Sequence, residues 1–505
     1  MKQPAEPTAR HAPVTRSWAS DFALEHAVTA LAAARAAQTR WNETPLGTRF
    51  TLIRRARHLL AVRADLLASL AAQARGCPLA EALGSEILPL ADALRFLERR
   101  AKRILAPQKL GTRGRPLWLA GHAATIHREP FGTVLIIGAG NYPLFLAGSQ
   151  AAQALVAGNA VFLKPGVHGS PVLRAFAELL HDAGLPAELL TVLPETTEAA
   201  QLSIEVGVDK VVFTGSAATG RKVLAQLAPR LIPATLELSG CDPFILRADA
   251  DLDLAVNALA FGIRLNQGAT CIAPRRVFVP RVIATEFEGR LARTFATRDL
   301  FALRPEIARP LRPVIEHALE HGAHLLAGKL RDDGALLGPL VLAGVPADSP
   351  LLREDFFAPV IAVVTVTGDA EAIQLAAASP YALAGSIFSR DHAAAQRLAL
   401  KLDAGTVCIN DLIVGTADPR VPFGGRRQSG FGTTRGAEGL LDLTTPKVIA
   451  LRAGRLRPHY DPAATGHPDF FRSVITLLHG QGLAVRFTAL KTLVRTALKM
   501  RKPSG

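Results

Sequence analysis

Short apolar runs alternate with amphipathic stretches through the middle of this chain. From Thr133 onward, Val134–Ile137, Ala160–Leu163, Leu189–Leu193, Lys210–Phe213 and Leu236–Leu238 have the length and composition of buried strands. Between them, Leu144–Val156, a stretch after Ser170, Thr197–Val206 and Ala217–Leu227 carry apolar residues at helical spacing. Strand and helix in turn imply right-handed crossovers and a parallel sheet with helices on both faces. A second alternating block follows, with strands expected at Arg276–Val279, Val360–Val366, Ala384–Phe388 and Thr406–Ile409, and helices at Ala284–Thr297 and His392–Leu402. Ahead of both blocks, residues 20–105 read as helices, notably Ala27–Arg40 and Arg54–Arg75, the second stopped by Gly76 and Pro78. The boundary between the two α/β blocks is expected near Ser239-Gly240, and junctions of this kind commonly make ligand clefts.

A length of 505 residues suits two large domains, and 49% hydrophobic with 20% charged residues is ordinary for a globular enzyme. No apolar run of about 18 residues occurs, and Met1–Ser20 lacks a signal-peptide core, so neither a spanning helix nor secretion is predicted. Cys77, Cys241, Cys271 and Cys408 lie far apart without C-x-x-C spacing, which suggests no disulfide framework and suits a reducing cytoplasm. The 14 histidines show no metal-binding spacing, so no metal is expected. A net charge of +15 would point to nucleic acid or an anionic surface if it were spread over the body. Residues 451–505 instead hold ten Lys/Arg against Asp461 and Asp469, about half the excess, so a nucleic-acid groove in the main body is not expected.

Candidate chemistry centres on Cys271, presented by the small-residue turn Leu265–Arg276 between a helical run and the strand-like Val277-Phe278-Val279. Glu237 is the partner, a carboxylate in the apolar run Ala234–Leu238. Taken alone, a thiol beside Gly and Ala is a small core residue and a lone Glu in a strand is an ion-paired one. The nucleophile and base reading depends on the rest of the chain.

That context is specific. Arg128–Val134, Asn141-Tyr142-Pro143-Leu144, Gly158–Pro165, Phe213-Thr214-Gly215-Ser216 with Gly220, Glu237–Gly240, the Cys271 turn, Glu354–Val360, Pro422–Gly425 and Ser429–Gly432 follow one another in an order that resembles the aldehyde dehydrogenase superfamily. The interval of 34 residues from Glu237 to Cys271 matches as well. The resemblance covers roughly residues 22–450.

It implies an α/β protein with a Rossmann-like parallel-sheet cofactor domain (1–108 and 132–239), a second α/β catalytic domain (240–434) and a small bridging or oligomerisation element (109–131 and 435–454), followed by a basic extension (455–505). It further implies oxidation of an aldehyde to a carboxylate with NAD or NADP. Cys271 would attack the aldehyde, Asn141 would stabilise the oxyanion, and Glu237 would activate water against the thioester. Lys164, Gly215, Ser216, Gly220, Asp355 and Phe357 match cofactor-contacting positions. Without the motif, Asn141 would be a turn or cap residue, Lys164 a solvated strand end, Asp355 a helix-end acid and Phe357 a core aromatic. Gly215–Gly220 is no P-loop, because Arg221-Lys222 follows it.

Several positions depart from the family pattern. Val167 stands where many members that prefer NAD have a ribose-binding Glu, which leaves NAD against NADP open; Gly140, Ala269, Ser239 and Asp355 are also substituted, and the Gly-Pro-Leu/Ile landmark before a helix expected at Pro313–Gly322 is missing. Two other readings stay open: a CoA-acylating enzyme, against which Glu237 argues because a hydrolytic base would destroy the thioester, and a non-catalytic binding or scaffold protein on the same fold. A homodimer or homotetramer is implied, through a strand around Pro446–Leu451. In the tail, Phe487, Leu490, Val494, Ala497 and Leu498 share one helical face, with Lys491, Arg495, Lys499 and Lys502 on another. Such a helix either packs on protein with its basic face in water or makes peripheral contact with an anionic membrane through 486–502.

Overall fold

The computed structural model describes residues 18–454, 460, 462 and 466–500; expectations falling on 1–17, 455–459, 461, 463–465 and 501–505, Lys502 among them, lie outside the described residues, as does the Lys499 side chain. The first α/β block forms a six-stranded sheet in the order Gly430–Phe431, Ala234–Leu238, Lys210–Gly215, Thr133–Ile137, Ala160–Lys164, Leu190–Val192. Its last five strands run parallel, and the central ones are buried along their length, as continuous apolar runs require. The helix Phe145–Ala157 has every residue buried, so it sits inside its layer rather than on the surface. Arg49 closes that helix: Gly158 turns left-handed at φ 103°, and the guanidinium reaches the carbonyls of Val156 at 3.2 Å and Trp41 at 2.8 Å.

The second block forms an eight-stranded sheet, ordered Phe301–Ala302, Leu336–Ala343, Val360–Val366, Pro274–Pro280, Asp242–Leu246, Ala384–Phe388, Thr406–Ile409, with His324–Leu330 paired to Leu336–Ala343. Gln108–Leu110, His122–Pro130 and Thr444–Arg452 make a three-stranded sheet with Thr444–Arg452 at one edge.

Some elements differ from the periodicity. The single helix expected over Arg54–Arg75 is two, Leu46–Val62 and Ala64–Arg75, divided at Arg63, whose guanidinium pairs with Asp182 at 2.6 Å; a tertiary contact of that kind leaves no trace in local spacing. The helix expected at Pro313–Gly322 begins earlier and spans Pro305–Glu320. The strands Asp242–Leu246 and Leu336–Ala343 lie in segments without a strand expectation.

By compactness the chain divides into two units, one holding both large sheets and the other holding Lys109–Thr125 with everything from Ile449. In the second, His467–His479 and Leu483–Met500 are paired helices. On these helices Phe487, Leu490, Val494 and Leu498 are exposed, with Phe471, Ile475, Leu483 and Val485, while Ala489 is buried. No helix among the described residues is long and apolar enough to cross a membrane.

Glu237 owes its place to the antiparallel edge strand. Gly430 is its register partner, at φ 100°, and a Cβ there would stand 2.0 Å from the Leu236 carbonyl oxygen. Gly430→Ala is therefore expected to lower Tm by several degrees, at least the about 1–3 kcal/mol that a strained backbone costs; a melting curve superposing on that of the unaltered protein would show that the edge strand can yield.

Candidate active site

Cys271 follows a backbone that no ordinary helix end produces. After Leu252–Arg264 the chain turns left-handed at Asn266, Gln267 and Gly268, with φ of 49°, 50° and 75°. Gly268 lies so close to Pro359 that a Cβ would come within 2.7 Å of its Cα. Arg275, nearly fully buried, holds the loop from below: its Nη2 donates to the Gly268 carbonyl at 2.7 Å, and its Nη1 donates to the Ala358 carbonyl. Asn266 ties the loop sideways, its Nδ2 donating to the carbonyls of Asn141 at 2.9 Å and Ala269 at 3.0 Å. Tyr142 OH and Thr270 Oγ1 are 2.7 Å apart. The thiol is thereby carried by a turn braced from two directions.

Two cavities meet at this turn. The larger, about 850 Å³, is lined by Gly138, Gly140, Asn141, Lys164, Gly215, Ser216, Asp355 and Phe357, among others; the smaller, about 340 Å³, by Tyr142, Phe145, Phe261, Ile272, Ile413, Phe423 and Arg435, among others. Among the described residues, Leu146, Glu237 and Cys271 alone line both.

Glu237 is 3% exposed and accepts a hydrogen bond from Thr434 Oγ1 at 3.1 Å on one oxygen, while Oε1 has no partner. Burial pushes its carboxyl above the usual range, and Arg435 and the Thr434 bond pull the other way. Burial likewise pushes the Cys271 thiol up, reinforced by the charges of Glu237, Asp242 and Asp355 and opposed by Arg435. A thiol so placed is neutral until a base or a bound partner changes its surroundings.

Asn141 donates from Nδ2 to the Ala269 carbonyl at 3.1 Å, which uses one of its two N–H groups and leaves the other for a second acceptor. The turn that bears it is fixed from the helical segment: Glu86, fully buried in the π-helical turn Leu83–Ile87, accepts the backbone N–H of Leu144 at 3.1 Å and Phe145 at 2.6 Å. Burial pushes the Glu86 carboxyl up to about 7. Arg75, stacked on Tyr142 at 4.7 Å, donates to Glu81, Ser85 and Asn266, so one buried network spans the thiol turn and the asparagine.

The larger cavity fits a dinucleotide. Its floor is a small-residue cradle: a Cβ on Gly166 would fall 2.3 Å from the Ala139 carbonyl carbon, and one on Gly215 would strike the Phe213 ring at 2.5 Å. Ser216 caps the helix Ala217–Leu227 by accepting the Thr219 N–H at 3.2 Å, and a helix N-terminus at a cavity wall suits a phosphate. Lys164 is half-buried at a strand end with its pKa lowered by burial and partly restored by Glu195. Asp355 accepts the Phe357 N–H at 2.9 Å and lies 3.6 Å from Arg275 Nε, and Phe357 is held at φ 49°. Gly220 differs from the other expected cofactor positions. It is not on the cavity wall, and a Cβ there would meet Leu238 at 2.9 Å, so its smallness serves packing of helix on strand.

A cavity shaped for a dinucleotide, opening onto a thiol and a buried carboxylate, defines a cofactor-dependent oxidoreductase that works through a cysteine. The model of the aldehyde dehydrogenase family matches residues 8–449, and the chain belongs to that family. It is similar to a 4,4'-diapolycopene aldehyde oxidase of Methylomonas sp, 33% identical over 89% of this chain and 87% of that one, and to a succinate-semialdehyde dehydrogenase [NADP(+)] of Deinococcus radiodurans, 36% identical over 83% and 88%. Among solved structures, an NAD-dependent aldehyde dehydrogenase from Sinorhizobium meliloti superposes with a TM-score of 0.80 at 30% identity, over 87% of this chain and 89% of that one. The protein is an enzyme that oxidises an aldehyde to a carboxylate with NAD or NADP, through a cysteine thiohemiacetal and a thioester hydrolysed by carboxylate-activated water.

The network of Arg75, Glu86, Asn266 and Arg275, and the pair Thr434 and Arg435, escape sequence reasoning. Each is a polar residue in a polar or mixed segment, and only the fold turns it inward.

Proposed function

We propose that Cys271 is the nucleophile, Glu237 the base for hydrolysis and Asn141 the oxyanion donor, with Lys164, Gly215, Ser216, Asp355 and Phe357 lining the cofactor's berth. The observation that carries this reading is that Cys271 and Glu237 belong to the walls of both cavities, so a group in each can meet at the sulfur. The Cys271 thiol passes its proton through the Glu237 carboxylate to solvent as the sulfur adds to the aldehyde carbon, and the free N–H of Asn141 receives the developing oxyanion. When bound, the nicotinamide supplies the hydride acceptor. Glu237 then takes a proton from water as that water attacks the thioester, and the thiol leaves as the carboxylate forms. In this reading 1–108 with 132–239 form the NAD(P)-binding domain and 240–434 the catalytic domain, which adds Asp355 and Phe357 to the cofactor's wall.

The smaller cavity is walled by Tyr142, Phe145, Phe261, Ile272, Ile413 and Phe423. Such walls favour an apolar aldehyde, in keeping with the polyene aldehyde in the name of the Methylomonas relative. Cys271→Ala is expected to abolish turnover, and Glu237→Gln to keep a first-turnover burst of reduced cofactor while kcat falls about 10²–10⁴-fold and an acyl adduct accumulates on the protein. Full activity of Cys271→Ala in a stopped-flow assay would end this reading.

The edge strand Thr444–Arg452 supports a homodimer or homotetramer, because Val448, Ile449 and Leu451 are exposed on it and its outer edge is unpaired among the described residues. Ile449→Asp is expected to shift the mass in light scattering toward the monomer; a monomeric unaltered protein would remove the proposal.

The enzyme works in the cytoplasm, in peripheral contact with anionic membrane through 486–502. Supporting this, Phe487, Leu490, Val494 and Leu498 are exposed beside Arg486, Lys491 and Arg495, the pairing of apolar and basic side chains that suits a lipid interface. The full-length protein should float with vesicles containing phosphatidylserine, less so at high salt and much less after exchange of Arg486, Lys491 and Arg495 for Glu; equal recovery with neutral and anionic vesicles would contradict it.

A further inference from the structure

Arg435 stands out in the wall of the smaller cavity. It is 7% exposed and sits at φ 62°, a conformation that a non-glycine residue holds only when its surroundings impose it. Those surroundings are visible: Thr434 is bridged to Phe423, with backbone bonds of 2.7 and 2.8 Å in the two directions, and Gly436 continues the left-handed path at φ 64°. The guanidinium lies 4.3 Å from the Phe423 ring centroid and 5.6 Å from that of Phe145. Its Nη1 donates to the Thr416 carbonyl, and its Nε has no hydrogen-bond partner. A cation taken out of water and only partly satisfied by neutral groups is costly unless a charge answers it.

The charges around the reacting groups supply that answer. Arg435 shares the wall of the smaller cavity with Glu237 and Cys271, and its chain neighbour Thr434 donates to Glu237. The charges acting on the thiol are those of Glu237, Asp242, Asp355 and Arg435, with the Tyr142 hydroxyl nearby. Two of those carboxylates have cations of their own: Asp355 has Arg275, and Asp242 faces Arg276 and accepts the Ala384 N–H at 3.2 Å. Glu237 has Thr434 on one oxygen, nothing on the other, and Arg435 as the cation opposite. Arg435 is thus the counter-charge of the pair that does the chemistry.

We propose that Arg435 is a positioning residue for aldehyde oxidation, a buried cation in the cavity wall that Glu237 and Cys271 share, standing as counter-charge to the carboxylate and to the sulfur as it attacks. The inference rests on the reading of Cys271 as nucleophile and Glu237 as base. The sign follows from burial. Both groups are pushed toward their protonated forms by loss of water, and a fixed positive charge at low local dielectric opposes that push on both at once. Without it, Glu237 would deprotonate only at higher pH, and the acid limb of the rate would move up.

The test compares Arg435→Met, which keeps length and apolar contact with Phe423 while removing the charge, with Arg435→Lys, which keeps the charge, in the full-length protein with an alkanal and, in parallel, an aldehyde carrying a carboxylate, at saturating cofactor from acid to alkaline pH. Arg435→Met is expected to lower kcat at neutral pH about tenfold, move the acid limb up by about one pH unit and change KM little, with Arg435→Lys restoring most of both. A merely structural role would lower Tm but leave the limb in place, and that result overturns the inference. So does a rise in KM confined to an aldehyde carrying a carboxylate, which would make Arg435 a substrate clamp instead. Should Arg435→Met fail to fold, Arg435→Gln takes its place, with the same limb shift expected and the same unmoved limb overturning the proposal. Cys271→Ala in parallel keeps the two readings apart. If it stays active, the nucleophile assignment falls; if it is inactive and the Arg435→Met limb is unmoved, only this inference falls.

Discussion

A carboxylate withdrawn from water at the end of a parallel strand is the constraint around which this enzyme is arranged. Glu237 occupies a strand buried along most of its length, 3% exposed, with one oxygen hydrogen-bonded and the other not. Such a group weakens the fold, because desolvation disfavours its charged form. The same desolvation raises its affinity for a proton, which suits the base proposed for it. The edge strand at Gly430, the bond from Thr434 and the cation of Arg435 surround it, and all three come from one segment near residue 430.

The thiol turn solves the complementary problem of holding a reactive group still on an irregular backbone. Left-handed residues at 266–268 place carbonyls where no helix or sheet could satisfy them, and Arg275 and Asn266 accept that task from within the chain. The network continues through Arg75 to the π-turn carrying Glu86, whose carboxylate fixes the start of the helix after Asn141. Helical lead-in, cofactor sheet and thiol turn are therefore coupled by buried polar contacts rather than by apolar packing alone. Buried polar networks of this sort position groups more narrowly than hydrophobic contact does.

The two cavities divide the work by chemistry. One is cradled by glycines and bordered by a helix N-terminus and a lysine, and the other is walled largely by aromatic and aliphatic side chains, with Glu81, Ser85, Thr270, Thr416, Glu237 and Arg435 as its polar members. In the separate unit formed by the last helices, apolar and basic side chains are likewise exposed together.

The strand and helix alternation of the first sheet, the α/β class, the thiol, the carboxylate and the family resemblance were legible from residue order, because apolar periodicity and short motifs are local properties of a chain; the strands Asp242–Leu246 and Leu336–Ala343 were not. Cys271 and Glu237 could be picked out since each breaks its surroundings, a thiol in a small-residue turn and an acid in an apolar run. Gly220 carried the right motif and yet faces Leu238 rather than the cavity, because a motif does not say which side of a helix a residue occupies once the helix is packed. Arg435 and Glu86 gave no local sign at all. A charged side chain in a loop or helix reads as solvated, and only the closing of distant segments over it, Phe423 and Phe145 in one case and Leu144 and Phe145 in the other, removes the water and turns an ordinary charge into part of a reactive site.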